Sequence, residues 1–202
     1  MSAKQRIFIS SVQKELALER RAIKDFIRAD PLLSRFFEVF LFEDLPAADL
    51  RADAVYLSEV DRCTLYLALF GNDYGFEDAQ GISPTEHEFD RATTLGKPRL
   101  IYVRGGHDDA RHPKMRALLR KAGDQLIRRR FGDTSELIAA VNASLVEHLA
   151  ARARCAPARL MQQPAMALRW PTCRKTSWRC FWPVPRASVA TRSTRLRPCT
   201  TR

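Results

Sequence analysis

Two kinds of residue are missing from the C-terminal part of this 202-residue sequence. From Arg154 to Arg202 there is no acidic residue and no glycine, while 11 residues are basic. The whole chain has 34 basic and 23 acidic residues, so residues 1–153 hold 23 of each and carry no net charge. A change in composition this abrupt predicts a boundary, with a folded domain over residues 1–152 and a basic, disordered tail over residues 153–202.

Long apolar runs are also missing. No run approaches the roughly 20 apolar residues that a membrane-spanning helix needs, and the polar start Met1–Arg6 does not resemble a signal peptide. Before the boundary the only cysteine is Cys63, which begins an apolar run and is expected to be a buried thiol in a reducing compartment. We therefore expect a cytoplasmic protein that has no membrane partner.

Several motifs that would indicate a bound cofactor or metal are absent as well. The sequence has no G-x-x-x-x-G-K-S/T phosphate loop, no HExxH helix and no CxxC pair. The segment His107–His112 contains histidine and aspartate, but we interpret it as a solvated loop rather than a metal site. We predict no metal and no required cofactor.

The tail allows two interpretations. Arginine with interleaved tryptophan (Trp170, Trp178 and Trp182) is typical of an arm that contacts phosphates and stacks on bases. The absence of Gly, Asp and Glu from the tail, and the lack of a helical or strand period in Trp178–Trp182, instead favour translation in a shifted reading frame. We prefer the second interpretation, in which the chain is a truncated product whose downstream module is missing. Nucleic acid is then a partner only if the tail is genuine.

Five short apolar runs alternate with helical patterns. The runs are Ile7–Ile9, Val39–Phe42, Leu65–Phe70, Arg99–Val103 and Gln125–Phe131. This alternation predicts an α/β fold in three layers, with a five-stranded parallel sheet and right-handed crossovers. The flavodoxin-like order 2-1-3-4-5 is the favoured topology. The three consecutive arginines Arg128–Arg130 favour an edge position for the last strand.

The clearest helix start is Ser83-Pro84-Thr85-Glu86, a capping box with proline at the first helical position. A second capping box, Asp133–Glu136, begins the last helix. In an open parallel sheet, ligands bind beyond the carboxyl ends of the strands, at the point where the strand order reverses. This rule predicts a site near Ser10-Ser11, Glu43-Asp44, Gly71–Gly75 and the helix start at Ser83.

Several separated motifs resemble a known family. They are Ile7–Ser11, the pairs Glu15-Leu16 and Glu19-Arg20, the segment Leu69–Gly75, and the segment Ser83–Val103. Together they resemble domain of unknown function 4062 over about residues 5–150. That family is similar to TIR domains and, more distantly, to nucleoside 2-deoxyribosyltransferases. Its members usually precede NTPase, ATP-binding or Schlafen-type DNA-binding modules in larger bacterial proteins, so the resemblance implies a signalling or defence input module.

The resemblance also points to two candidate catalytic carboxylates. In the glycosidase and transferase relatives, a glutamate near a helix start acts on the ribosyl carbon, where a carboxylate can stabilise or trap a cationic centre. Glu88 is the better candidate, because its spacing to Ala92 resembles the catalytic pattern of those relatives, although it could simply be an exposed helix carboxylate. Glu86 is the second candidate. Its plainer role is to bind the Ser83 backbone N–H.

Six residues near the strand ends are candidate ligand contacts: Ser10, Ser11, Gly71, Asp73, Tyr74 and Gly75. The two serines could hold a phosphate or a ribose at a helix start, or Ser10 could only cap that helix through the Gln13 amide. In the glycine loop the backbone could approach a nucleotide while Tyr74 stacks on it, but a plain tight turn is equally compatible.

The resemblance implies a TIR-like sensor or adaptor that forms homo-oligomers and controls an attached module. The alternative is an enzyme that hydrolyses NAD or a nucleoside at its N-glycosidic bond through Glu88. In both cases NAD or another nucleotide is the expected small-molecule partner.

Overall fold

The computed structural model describes residues 3–46, 49 and 52–155. The predicted tail lies outside the described residues except for its first three positions, which belong to the last helix. The two interpretations of the tail therefore stay predictions. No helix in the described part of the chain is both long enough and apolar enough to cross a membrane.

Strands and helices alternate along the described chain. The strands are β1 Gln5–Ser10, β2 Phe37–Phe40, β3 Leu65–Phe70, β4 Arg99–Arg104 and β5 Arg128–Phe131. The helices are α1 Ala17–Ala29, α2 Leu33–Phe36, α3 Ala52–Arg62, α4 Pro84–Thr94, α5 Pro113–Gly123 and α6 Thr134–Cys155. A 3-10 turn at Phe42–Asp44 follows β2.

The five strands form one sheet in the order β2-β1-β3-β4-β5, and every neighbouring pair is parallel. The predicted topology is confirmed, and the fold is flavodoxin-like. β5 lies at an edge, as its arginines indicated, although it begins at Arg128 rather than Gln125. β2 also begins and ends two residues before the predicted run, because Leu41 already leads into the 3-10 turn.

Residue alternation along the strands divides the core between the two faces of the sheet. Ile7 and Ile9 of β1 pack in the core that contains residues of α1 and α6, while Phe8 packs in the core that contains residues of α3, α4 and α5. Successive strand residues point to opposite faces. Ser10 therefore faces the same side as Phe8, which is the side of α4.

The predicted capping box at the start of α4 is confirmed in its first half. Ser83 is the N-cap, and its hydroxyl accepts a hydrogen bond from the Glu86 amide at 3.3 Å. Gly96 follows the helix with φ +62°, a conformation that glycine adopts without strain.

The interpretation of Ser10 as a helix cap is wrong. α1 begins at Ala17 after an irregular segment, and its N-cap is Leu16, which makes no side-chain capping bond. The Ser10 hydroxyl is instead directed across the sheet end toward α4.

Candidate functional site

A cleft of about 640 Å³ lies at the carboxyl ends of β1 and β3, where the strand order reverses. Its walls come from the end of β1, the segment before α1, the turn after β2, the loop after β3 and the start of α4. The lining includes Ser11, Lys14, Arg20, Phe42, Tyr56, Asp73, Tyr74, Gly75, Phe76, Thr85, Glu88 and His112. The cleft is where parallel α/β sheets place their ligands.

Glu88 is the buried carboxyl group of this cleft, with 8% of its surface exposed. Its Oε2 atom accepts a short hydrogen bond from the Ser10 hydroxyl. Burial raises the pKa of Glu88 from 4.5 to about 7, although the Ser10 hydrogen bond and the charge of Arg20 act in the opposite direction. A carboxyl group that titrates near neutrality can exchange a proton or meet a developing positive charge at physiological pH.

Tyr66 lies behind Glu88 in the core on the α4 side. Its hydroxyl is fully buried and has no hydrogen-bond partner within the described part of the chain. Burial, and after it the charge of Glu88, raises the pKa of Tyr66 well above its usual value. Ser10 is close enough to lower the pKa of Tyr66, but its single hydroxyl hydrogen is given to Glu88. Two buried hydroxyls, those of Ser10 and Tyr66, are therefore near Glu88, and Ser10 is the one that bonds to it.

Arg20 organises the other side of the cleft. Only 2% of it is exposed, and it forms a bidentate pair with Glu43 at 2.7 and 2.8 Å. Its Nη1 atom also donates to the Ile9 carbonyl at 2.9 Å and to the Ser11 hydroxyl at 3.1 Å. Burial raises the pKa of Glu43, but the hydrogen bond and charge of Arg20 outweigh it and leave that pKa below its ordinary value. Arg20 thus fixes the ends of β1 and β2 relative to each other.

Glu86 faces away from the cleft and does not bind the Ser83 amide directly. The Tyr74 hydroxyl donates to Glu86 Oε2 at 2.6 Å and accepts from the Ser83 N–H at 3.2 Å. Lys121 of α5 donates to the other carboxylate oxygen of Glu86 at 3.1 Å. The second half of the predicted capping box therefore runs through a tyrosine, which satisfies the same backbone donor.

The Tyr74 ring is already in contact with protein. His112 stacks on it at 5.7 Å between ring centroids with an interplanar angle of 14°, and 3% of Tyr74 is exposed. Little of this ring is left for the nucleotide stacking that the sequence suggested. Phe76 also lines the cleft and is 81% exposed, so it is the better placed aromatic residue.

The loop after β3 is fixed from two sides. Arg111, only 3% exposed, donates to the Gly71 carbonyl at 2.5 Å, and the His112 amide donates to the Asn72 carbonyl at 2.9 Å. On the opposite side the Glu15 carboxylate accepts from the amides of Asn72 at 2.6 Å and Asp73 at 3.0 Å. Gly75 completes the loop with φ +88°, which favours glycine.

Asp108 and His112 of the 107–112 loop serve this scaffold. Asp108 bonds to Arg111 at 2.8 Å and to Arg130 of the edge strand at 2.8 and 3.0 Å. The hydrogen bonds from Arg130 and Arg111 lower the pKa of Asp108 to about 2. His112 caps α5 by accepting from the Lys114 amide at 3.3 Å. The described residues contain no group of three or more His, Cys, Asp or Glu that could hold a metal ion.

The structure brings most of the predicted ligand contacts together. Ser11, Asp73, Tyr74 and Gly75 line the cleft with Glu88. Three predicted residues are not part of the lining: Ser10, Gly71 and Glu86. Ser10 reaches the cleft only through Glu88, so its own role as a ligand contact stays a prediction.

Sequence reasoning gave no role to Arg20, Glu15 or Arg111. For Arg20 a signal was present: it follows Leu16 by four residues and precedes Ile23 by three, so it lies on the apolar face of α1. A charged residue on such a face needs a buried partner. Glu15 and Arg111 lie in irregular segments, where no periodicity predicts the direction of a side chain.

The family model described as "Domain of unknown function (DUF4062)" matches residues 6–146 of this chain. The chain belongs to this family. Comparison with curated proteins finds no match.

Solved structures with a similar arrangement are more distant. A CMP N-glycosidase from Clostridium botulinum has 12% identity and a TM-score of 0.44, with 69% of this chain and 99% of that chain covered. Oxidised flavodoxin 1 from Bacillus cereus has 12% identity and a TM-score of 0.42, with 72% and 99% covered. A conserved protein from Enterococcus faecalis has 16% identity and a TM-score of 0.39, with 70% and 99% covered. At these scores the likenesses carry no information about the function of this chain.

Proposed function

We propose that this DUF4062 protein binds a nucleotide in the cleft and hydrolyses its N-glycosidic bond, with Glu88 as the catalytic carboxylate. The observation that carries the proposal is the environment of Glu88. It is a buried carboxyl group on the wall of the cleft, held by one hydroxyl, and no ion pair to it is found among the described residues. NAD and nucleosides with their phosphates are the substrate class.

The chemistry follows from the charge that forms when the bond breaks. As the bond between the ribosyl carbon and the base nitrogen lengthens, its electron pair leaves with the base and the ribosyl carbon becomes cationic. The ionised Glu88 stabilises or traps this centre, and water then supplies the hydroxyl of the ribosyl product and the proton that balances the reaction. In a poorly solvated site this attraction is stronger than in water.

The other cleft residues have supporting roles in this proposal. Ser10 orients the Glu88 carboxylate, and Asp73 and Ser11 offer polar atoms to the ribose hydroxyls. Phe76 supplies an exposed ring for base stacking. Arg20 holds Ser11 in place, and after the Ser10 hydrogen bond its charge also lowers the pKa of Glu88 against the effect of burial.

The test is release of free base by the full chain, measured by chromatography with NAD, adenosine and AMP as substrates. Glu88→Gln is expected to lower turnover by at least about a hundredfold, because the amide cannot carry the negative charge. Glu86→Gln is the matched control, since Glu86 lies on the same helix but outside the cleft lining, and it is expected to retain activity. Equal turnover in wild type and Glu88→Gln would reject the assignment.

A second candidate function is a sensor or adaptor module that self-associates and controls an attached effector in signalling or defence. The observation that favours it is the edge of the sheet, where β5 has β4 as its one neighbouring strand among the described residues and the adjacent Ile127 is 98% exposed. An open edge beside an apolar side chain can pair with another chain. Sedimentation analysis tests it: self-association without base release from any of the three substrates would favour this candidate over the enzyme.

A further inference from the structure

The amides of Asn72 and Asp73 form a pair of neighbouring donors at the rim of the cleft. Both are bound by the two carboxylate oxygens of Glu15, at 2.6 and 3.0 Å, and both bonds are exposed to solvent. Asp73 itself lines the cleft, as does Lys14, the residue before Glu15. The rim of the proposed nucleotide site thus already holds an anion, and that anion belongs to the protein.

The donor pair does not depend on Glu15 for its orientation. In a trans peptide the carbonyl and the N–H of the same unit point in opposite directions. Arg111 holds the Gly71 carbonyl, which belongs to the same peptide unit as the Asn72 N–H. The His112 amide holds the Asn72 carbonyl, which belongs to the same unit as the Asp73 N–H. Both N–H groups would keep their direction if Glu15 moved away.

In this contact Glu15 is displaced more easily than the two backbone amides. It lies in the irregular segment between β1 and α1, and no cation forms an ion pair with it in the described part of the chain. A Cβ atom on Gly71 would overlap the Glu15 carboxylate, so glycine at this position leaves room for a group the size of an oxyanion against the backbone.

We infer that the Asn72 and Asp73 amides form the binding site for an anionic group of the ligand, and that Glu15 occupies this site until a phosphate displaces it. The inference rests on the proposed function and narrows its substrate class from nucleosides in general to phosphorylated nucleotides. Glu15 acts as an internal competitor, which lowers the affinity for the phosphate without touching the reacting bond.

Calorimetric titration of the full chain with AMP and with adenosine tests the inference. Glu15→Gln turns one of the two acceptor oxygens into a donor, so it can no longer satisfy both amides. We expect AMP to bind this variant about tenfold more tightly than wild type, the factor that corresponds to one charge-assisted hydrogen bond. Adenosine is expected to bind both proteins equally. Glu38→Gln removes the same charge from an exposed position on β2 and is the matched control, with no change for either ligand.

A purely structural role of Glu15 predicts the reverse, namely weaker or unchanged AMP binding in Glu15→Gln, and that result would overturn the inference. Amide chemical shifts of the wild type give a readout that needs no variant. Saturating AMP is expected to move the Asn72 and Asp73 resonances. Adenosine is expected to leave the Asn72 resonance in place, because in the proposed site its ribose lies against Asp73 but not against Asn72. Inorganic phosphate should compete with AMP but not with adenosine, because only the anion is shared. These readouts report binding, so they remain valid even if no base is released. If turnover depends on Glu88 but AMP does not move these amide resonances, only the anion site is rejected.

Discussion

Two glutamates in the first turns of α4, Glu86 and Glu88, have opposite environments on the two sides of the helix. On the side of α5, Glu86 accepts from the Tyr74 hydroxyl at 2.6 Å and from Lys121 at 3.1 Å. On the side of the sheet, Glu88 is 8% exposed, accepts from the Ser10 hydroxyl as its one hydrogen-bond donor among the described residues, and has its pKa raised to about 7 by burial. A glutamate is therefore paired with a lysine on one side of the helix and is poorly solvated on the other.

Helix geometry explains the contrast. At 3.6 residues per turn, two residues are separated by roughly 200° around the helix axis, so Glu86 and Glu88 point to nearly opposite sides. A carboxylate with a lysine and a tyrosine as partners contributes to the stability of the helix start. A carboxyl group kept from water without a paired cation destabilises the fold, and such groups persist at sites of chemistry.

The largest effect is expected from replacing Arg20, the buried cation that organises one side of the cleft. Arg20→Met leaves Glu43 without its partner and removes the hydrogen bonds to Ile9 and Ser11, so the free energy of unfolding should fall by about 3 kcal/mol. Lys24→Met is the control from the next turn of α1, because its pair with Asp44 is more exposed and should contribute less than about 1 kcal/mol. Urea denaturation of both variants makes the comparison. Equal losses of unfolding free energy would show that the buried Arg20 pair stabilises the fold no more than the exposed Lys24 pair.

The fold could be predicted from the sequence much further than the cleft. The apolar run Leu65–Phe70 was predicted with its observed bounds, because all six residues are buried and no alternation competes with that pattern. The capping sequence at Ser83 placed the start of α4 for an equally local reason. Both signals arise from neighbours in the chain.

The chemistry of the cleft depends on contacts between residues distant in the chain, and local patterns do not contain these. Glu88 was a candidate through its resemblance to other proteins, but its partner Ser10 is 78 residues away. The contact between Glu15 and the Asp73 amide spans 58 residues. The predicted strand order indicated which loops are neighbours. Which side chains and amides contact each other within those loops depends on the packing of the folded chain.

The second largest effect concerns pH. Since Glu88 must be ionised to meet a cationic ribosyl carbon, and its pKa is about 7, kcat/KM for base release should rise with pH and level off above about 7. At pH 5 we expect about one hundredth of the plateau value, a tenfold loss for each pH unit. Glu86→Gln should give the same profile, because Glu86 lies outside the cleft lining. A flat profile between pH 5 and 8 would remove Glu88 from the rate-determining chemistry.

The two carboxylates should also differ in their effect on stability. Between about pH 4.5 and 7 the folded chain keeps the proton of Glu88 while the unfolded chain releases it, so the Glu88 contribution to stability falls as pH rises. Glu88→Gln does not titrate, so its free energy of unfolding should exceed that of wild type by about 3 kcal/mol at pH 8 and by less than about 1 kcal/mol at pH 5. Glu86→Gln should be less stable than wild type at pH 8, since it loses charged hydrogen bonds. Urea denaturation at both pH values measures the signs, and a destabilised Glu88→Gln at pH 8 would contradict the account of a poorly solvated carboxyl group.

The smallest effect is expected on the paired side of α4. Tyr74→Phe removes the hydroxyl that joins the Ser83 N–H to Glu86, while Lys121 still neutralises Glu86, so the loss should be about 1 kcal/mol and largely the cost of an unsatisfied amide. Tyr102→Phe is the matched control, because the bond that its hydroxyl donates to the Ala140 carbonyl is long, at 3.5 Å, and the change should be close to neutral. Thermal denaturation of the two variants separates them. If both changes were neutral, the Tyr74 relay would be dispensable, and the paired side of the helix would owe its stability to Lys121 alone.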